Sequence, residues 1–400
     1  MRALAQTIPV LLALLLGGCG YPPVVSTLPS GEATSSASSP TSSASASPSD
    51  SASPTTTPVP TEPPFDVPRL AAIQMVGRLG WAVGSGGIYA TSDGTHWGLQ
   101  YRSDEAFGGV DFISATTGWA VGIRHLFGTT DGGAHWTAIG QGPKPLRSVH
   151  FATAAQGWGI AGGANLQSVH GWLIPAGLGT LVRTTDGGHT WQPMDSPADP
   201  QTVCFSDPSL GWLGSASGGV YRSVNGGTSW QNVLQRGNVY GGIPQTTLIE
   251  CAGPSALWVD FEGGSAAAGH IPYIAYATQD GQHWQAVLGE SMTEGSLMPG
   301  LPAGPDSYPG SFSVIDPQHA AFVGDGPIAD RTSAVMVWSD CCSRTVTATG
   351  AIRSVQQTFG AAFVSTTTGW VIVRTDANAL AIEVTRDGGW TWTPQLTVAA

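Results

Sequence analysis

The stretch Val182–Trp191, VRTTDGGHTW, sets a threonine, an aspartate, two glycines and a tryptophan at fixed offsets. Alone, such a turn fits a metal loop, a catalytic loop or a piece of scaffold. Recurrence separates these readings. TSDGTHW ends at Trp97, TTDGGAHW at Trp136, SVNGGTSW at Trp230, TQDGQHW at Trp284 and TRDGGWTW at Trp392. A second run precedes each copy: GWAVG at Trp81 and Trp119, GWGIA at Trp158, GWLGS at Trp212, LWVD at Trp258 and GWVIV at Trp370. A third precedes that, as VDF at Val110, VHF at Val149, VCF at Val203 and AAF at Ala361. Between the copies at Asp280 and Asp387, SFSVIDPQHAAFVG repeats the first two runs with Phe322 in the tryptophan position. WSDCCSRT (Trp338–Thr345) then keeps Asp340, puts Cys341 and Cys342 where the glycines stand, and ends in Thr345.

Seven units share roughly 335 residues, about 48 each, the size of a four-stranded propeller blade. Strand A is the VxF run, B the GWxVG run, C the apolar run into the aspartate, and D begins near the box tryptophan. Alternating apolar residues fit half-buried strands that pack blade on blade. The expected fold is all-β: a single seven-bladed β-propeller of four-stranded antiparallel blades over residues 65–400. The chain starts on an A strand and ends on a D strand, so no strand exchange is expected to lock the ring; PFDVP (Phe65 onward) is a weak candidate for helping to close it.

These repeats resemble the Asp-box repeats of bacterial neuraminidases, Ser/Thr-x-Asp-x-Gly-x-x-Trp. With GWxVG before each box, the pattern is most similar to the propellers of the photosystem II assembly and stability factor group, and more distantly to sialidase and sortilin-type propellers. The resemblance spans about Arg69 to Pro394 and implies the propeller. Sialidases use an arginine triad, a tyrosine–glutamate pair and an acid/base aspartate; none can be assigned here, and VPRLAA does not match their Arg-Ile-Pro element. A sialidase-like glycoside hydrolase is therefore the alternative reading, and no catalytic residue is named.

Turn chemistry explains the boxes without catalysis. The acceptor oxygens of Asp93, Asp131, Asp186, Asn225, Asp280, Asp340 and Asp387 are expected to bind backbone N–H groups one to three residues on. Asn225 offers the same oxygen without the charge. Calcium needs six to eight oxygens and each box supplies one carboxylate. His96, His135, His189 and His283 fall in separate units, which does not suit zinc. No metal and no cofactor are expected.

In an up-and-down blade the A–B and C–D connections share one face, and the B–C and D–A connections share the other. The boxes are C–D turns, and the A–B turns are short. The long insertions, Gly162–Thr180, Gln235–Gln245, Glu262–Tyr273 and Gly289–Ser311, all fall on the opposite face. Variable loops on a rigid scaffold carry function more often than repeated turns do. His170, Trp172, Tyr240, His270, Tyr273 and Tyr308 are its candidate contacts for a protein or a surface glycan, against the alternative that they pack the loops down. Cys204 and Cys251 hold comparable A-strand positions in adjacent blades, so either a disulfide or two buried thiols is expected; Cys341 and Cys342 are candidates for a vicinal disulfide.

The N-terminus reads as a targeting segment. MRALAQTIPVLLALLLGGC carries one basic residue, a short apolar run and LGGC (Leu16–Cys19), which resembles the lipobox of bacterial lipoproteins. That implies a signal peptide over residues 1–18 and lipidation at Cys19. Residues 19–64, rich in Ser, Thr and Pro, have little to bury and form an expected disordered tether. The protein is expected outside the cytoplasm, held at the bacterial cell membrane by its lipid alone, as a monomer. A formal net charge of -12 with Lys144 as the one lysine leaves no basic patch for nucleic acid.

Overall fold

The computed structural model describes residues 67–140, 142, 144–162, 166–169, 172–175, 179–236, 246–263, 271–289, 301–305, 309–325, 334–341, 343 and 345–399. Every regular element among them is a strand, and seven four-stranded antiparallel sheets make a seven-bladed β-propeller. Blade 1 is β1–β4 (Ala72–Val76, Leu79–Gly84, Gly87–Thr91, Gly98–Tyr101) and blade 2 is β5–β8 (Phe107–Phe112, Gly118–Gly122, Leu126–Thr129, Thr137–Gly140). Blade 3 comprises β9 (Leu146–Phe151), β10 (Gly157–Ala161), β13 (Thr180–Thr184) and β14 (Gln192–Pro193), with the hairpin β11–β12 (Leu166–Val169, Trp172–Pro175) inserted between β10 and β13. Blade 4 is β15–β18 (Pro200–Phe205, Gly211–Ser215, Gly219–Ser223, Gln231–Gln235) and blade 5 is β19–β22 (Thr246–Cys251, Leu257–Glu262, Tyr273–Thr278, Gln285–Gly289). Blade 6 is β23–β26 (Ser311–Val314, His319–Asp325, Ala334–Asp340, Thr345–Ile352) and blade 7 is β27–β30 (Val355–Phe363, Gly369–Thr375, Ala379–Thr385, Thr393–Ala399). Each innermost strand lies against those of both neighbours, β1 against β5 and β27 included.

The two recurring motifs meet across blade boundaries. The GW tryptophan of one blade donates its indole N–H to the first box glycine of the next: Trp81 to Gly132 O (3.1 Å), Trp119 to Gly187 O (2.9 Å), Trp158 to Gly226 O (3.0 Å), Trp212 to Gly281 O (3.5 Å) and Trp370 to Gly94 O (3.2 Å). Those glycines are at positive φ, +75° at Gly187, which aims the carbonyl at the indole without a Cβ penalty. The same tryptophan stacks on the VxF phenylalanine of the next blade, as Trp81 on Phe112 and Trp119 on Phe151, both with centroids 3.5 Å apart. That phenylalanine covers the GW glycine of its own blade; a Cβ on Gly118 would collide with the Phe112 ring. The degenerate sixth unit shows what the latch requires. Cys341 replaces the box glycine, and the buried Trp258 Nε1 facing from blade 5 has no partner among the described residues. The register corrects the expectation for Phe322: Ala321 stands in the tryptophan position, pairing with Ser313 as Trp119 pairs with Asp111, and Trp338 of β25 makes the bond to Gly388 O instead, at 3.0 Å.

A second belt joins the innermost strands. The middle residue of the VxF run reaches the backbone of the next blade. Gln74 brackets Phe112 (Nε2 to O 3.2 Å; N to Oε1 2.6 Å), and Asp111 Oδ2 accepts from Phe151 N (2.7 Å). His150 Nε2 lies 2.9 Å from Phe205 O, Glu250 Oε2 accepts from Val314 N (2.9 Å), and Ser313 Oγ accepts from Phe363 N (2.9 Å). Between blades 4 and 5 the joint is covalent: Cys204 and Cys251 form a disulfide with a Cα–Cα distance of 6.0 Å. Cys251 is not the register equivalent of Cys204. Cys204 pairs with Trp212, whereas Cys251 pairs with Leu257, one step later, in the phenylalanine position.

At the junction of blades 7 and 1 the belt residue is Ala362, which has no such side chain. Both end blades are complete, so the ends are held by packing. Leu70, Ile73, Tyr89 and Trp97 meet Trp370, Ile372, Leu380 and Ile382. Gln395 and Arg386 also donate to Gly94 O (3.0 and 3.1 Å). Of the PFDVP stretch, Val67 is buried and Pro68 O accepts from Ser85 N; Phe65 and Asp66 lie outside the described residues.

Candidate functional site

The box chemistry sets one face. Asp131 Oδ1 accepts from His135 N (2.9 Å) and Asp186 Oδ1 from Thr190 N (2.9 Å). In the single-glycine boxes at Asp93 and Asp280 the bonded amides lie two and three residues on, as expected, whereas at Asp131, Asp186, Asn225 and Asp387 the second glycine moves the bonded amide to four residues on. The motif threonine is an equal partner, a role absent from the sequence reading: Thr184 Oγ1 donates to Asp186 Oδ1 (2.8 Å) and accepts from Gly188 N (2.9 Å). Asn225 keeps the acceptor role, taking Ser229 N at 2.9 Å. These bonds favour the ionised form. The Thr190 hydroxyl and amide hold Asp186 at about 2, and His135 does the same for Asp131. The box face therefore keeps its negative charge far into acid, and each carboxylate is already engaged by its own turn.

The opposite face, built from B–C and D–A connections, carries the insertions. The hairpin β11–β12 folds inward there: β12 lies against β9 and reaches β5 and β15, so its backbone spans the innermost strands of blades 2, 3 and 4. Trp172 opens β12. His170, Tyr240, His270 and Tyr308 lie outside the described residues. Tyr273 is corrected from the expectation of a loop contact. It is the first residue of β21, is fully buried, and donates its hydroxyl to Pro305 O at 2.6 Å. The alternation Tyr273, Ala275, Ala277 on one face of the strand was the available signal. Cys341 is buried, with Sγ 3.3 Å from Gln279 Nε2; Cys342 lies outside the described residues, and with it the vicinal pair.

Charge separates the two faces in a way the sequence reading did not draw out. On the loop side of blades 7, 1, 2 and 3, Arg69, Arg102, Arg124, Lys144 and Arg353 are exposed, and Arg374 is half-buried over the Phe359 ring at 5.3 Å. Among the described residues the acids there are the exposed Asp104, Asp195 and Asp376, the half-buried Asp199 and the buried Glu105. Glu105 belongs to a clamp: Oε1 accepts from Arg124 N and His125 N, and Oε2 lies 2.9 Å from His125 Nδ1. It fixes the B–C turn of blade 2; Arg124 Nε also lies 4.0 Å from Glu105 Oε2, and the Arg124 side chain stays 60% exposed. Sorting each cation by the connection that carries it would have exposed this sector, since every one of these flanks a B–C or D–A segment.

Two further carboxyls need placing. Asp260 and Glu262 lie two apart on β20, at 0% and 2% exposure, on the face that also carries Trp258. Burial first, then the Glu262 charge, pushes Asp260 well above the carboxylate range. Such a pair holds a proton within the wall between blades. Among the described residues no three metal-ligating side chains converge.

Residues 90–247 match a family described as photosynthesis system II assembly factor YCF48. A curated relative, "Photosystem II assembly lipoprotein Ycf48" of Synechococcus sp. (strain CC9902), is 28% identical over 127 residues, which is 30% of this chain and 35% of that protein, so the match spans about a third of the relative. Among solved structures, "YCF48 bound to D1 peptide" is 18% identical, covering 72% of this chain and 81% of that one, with a TM-score of 0.45. An oligogalacturonate lyase in complex with manganese has a TM-score of 0.52 at 11% identity, covering 78% of this chain and 88% of that one, a likeness of fold alone. The chain thus resembles the Asp-box propellers of the photosystem II assembly factor type.

Proposed function

We propose that this chain is a non-catalytic assembly module, lipid-anchored outside the cytoplasm, that binds a protein partner through the loop face of its propeller. The observation that carries the reading is the placement of charge: exposed cations gather on the loop side of blades 7, 1, 2 and 3 of an otherwise acidic protein. Opposed surface potentials steer encounter and fix orientation. An acidic segment of a partner fits that sector. The family match and the relative named as an assembly lipoprotein support a protein partner and, with the LGGC element, the anchor at Cys19. A fully extended tether over residues 19–64 would reach on the order of 100 Å.

The experiment is site-specific photo-crosslinking in cells. A photoreactive residue replacing Arg124 or Lys144 should yield a crosslinked species, and one replacing Thr130 or Thr185 on the box side should not. Crosslinks confined to the box side would reverse the assignment.

A further inference from the structure

The seam between the last and first blades forms an open cleft of about 630 Å³ on the box side, within the range of small-molecule sites, about 300–1,000 Å³. Its walls include Asp93 and Thr95 from the first box and Arg386, Thr393, Pro394 and Gln395 from the last blade. We propose that this cleft is a binding subsite for a neutral, hydroxyl-rich ligand of the saccharide class. It lies on the face opposite the protein-binding sector and does not depend on it.

Arg386 marks the site. It occupies the middle position of the Thr-x-Asp run, where the other units carry Ser92, Thr130, Thr185, Val224, Gln279 and Ser339. Its Nη2 donates to Gly94 O (3.1 Å) and Thr95 Oγ1 (2.9 Å), which fixes the guanidinium plane. Asp93 is held as firmly, by Thr95 N and His96 N, both at 2.8 Å, and by His96 Nδ1 at 2.7 Å. Gln395 is fixed by Trp97 Nε1 (3.0 Å) and Gly94 O (3.0 Å). Ring closure itself therefore presets the polar groups, which lowers the ordering cost of binding. A fixed cation and a fixed anion share one cleft, so a net charge on the ligand gains from one and loses to the other. A hydroxyl can donate to the carboxylate and accept from the guanidinium. Val384 and Pro394 supply apolar wall for the C–H face of a sugar ring.

The competing account is that Arg386 and Gln395 only latch the seam. Thr393 separates the two, because it lines the cleft and takes no part in the latch. Titration calorimetry on the full chain would use maltotriose, cellotriose, mannotriose and chitotriose, with trigalacturonate as the charged control. At least one neutral trisaccharide should bind with a Kd below about 1 mM. Thr393→Trp, which fills the cleft, should weaken it at least about tenfold with the melting temperature unchanged. If Thr393→Trp does not fold, Thr393→Val serves, with weaker binding again expected. Failure of every neutral sugar, binding indifferent to these substitutions, or binding of trigalacturonate alone would overturn the proposal.

Discussion

Replacing Trp158 by phenylalanine removes one latch between blades 3 and 4. Trp158 is fully buried, and its Nε1 lies 3.0 Å from Gly226 O. The smaller ring leaves that buried carbonyl without its donor, at a cost of about 1–3 kcal/mol. The space vacated adds about 1 kcal/mol. The matched control is Trp258→Phe. Trp258 is 1% exposed, but its Nε1 has no partner among the described residues, because Cys341 stands in the glycine position. That substitution opens similar space while deleting a buried unpaired donor, so the two effects offset and the net change is about 0–1 kcal/mol. The Trp158 variant should thus be less stable than the Trp258 variant by about 2 kcal/mol. At about 2.1 cal/mol/K per residue, a propeller of roughly 335 residues converts this into about 3 °C in Tm. Urea unfolding of the full chain, with the slope checked for constancy, and calorimetry would measure it. Equal losses, or a larger loss at Trp258, would refute the latch as the source of inter-blade stability.

Three other outcomes follow from the same structure. Cys204→Ser with Cys251→Ser opens a link with a sequence separation of 47 and should lower stability by up to about 4 kcal/mol on the chain-entropy account, read as a lower Tm without reductant. Glu250, half-buried in the belt, is pushed up to about 7 by burial. A raised carboxyl stabilises the fold fully below its ordinary pKa of 4.5, and that contribution fades as pH climbs towards 7. Wild-type stability should fall between pH 5 and 8 more steeply than that of Glu250→Gln; parallel profiles would discount the residue. Cys19→Ser should move the protein from the membrane fraction to the soluble one, and unchanged fractionation would remove the lipid anchor from the account.

The repeat units, the turn chemistry and the division of loops between faces were legible because each is a local pattern repeated down the chain. The joints were not. Trp119 and Gly187 are 68 residues apart in sequence, and each recurs within its own unit; only the ring shows that the bond runs from one copy to the next. Chemistry hides the belt further, since Gln74, Asp111, His150, Cys204, Glu250 and Ser313 share a task and no residue type. Their common place in the VxF run was visible, but, Cys204 apart, their target is backbone, which leaves no mark on sequence. Tyr273 was misread for a simpler reason: an aromatic at the edge of a long insertion looks like a loop residue until the strand is seen to begin on it.

The central claim is that the loop face binds a protein partner and the box face does not. Affinity capture of the full chain from its native membrane, with the retained partner quantified, tests it directly. Charge reversal of Arg102, Arg124 and Lys144 to glutamate should abolish retention, and retention by the wild type should weaken as salt rises. Asp131→Asn, which keeps the acceptor oxygen of a box turn, should retain the partner in full. Retention through the triple reversal, with loss on Asp131→Asn, would contradict the account.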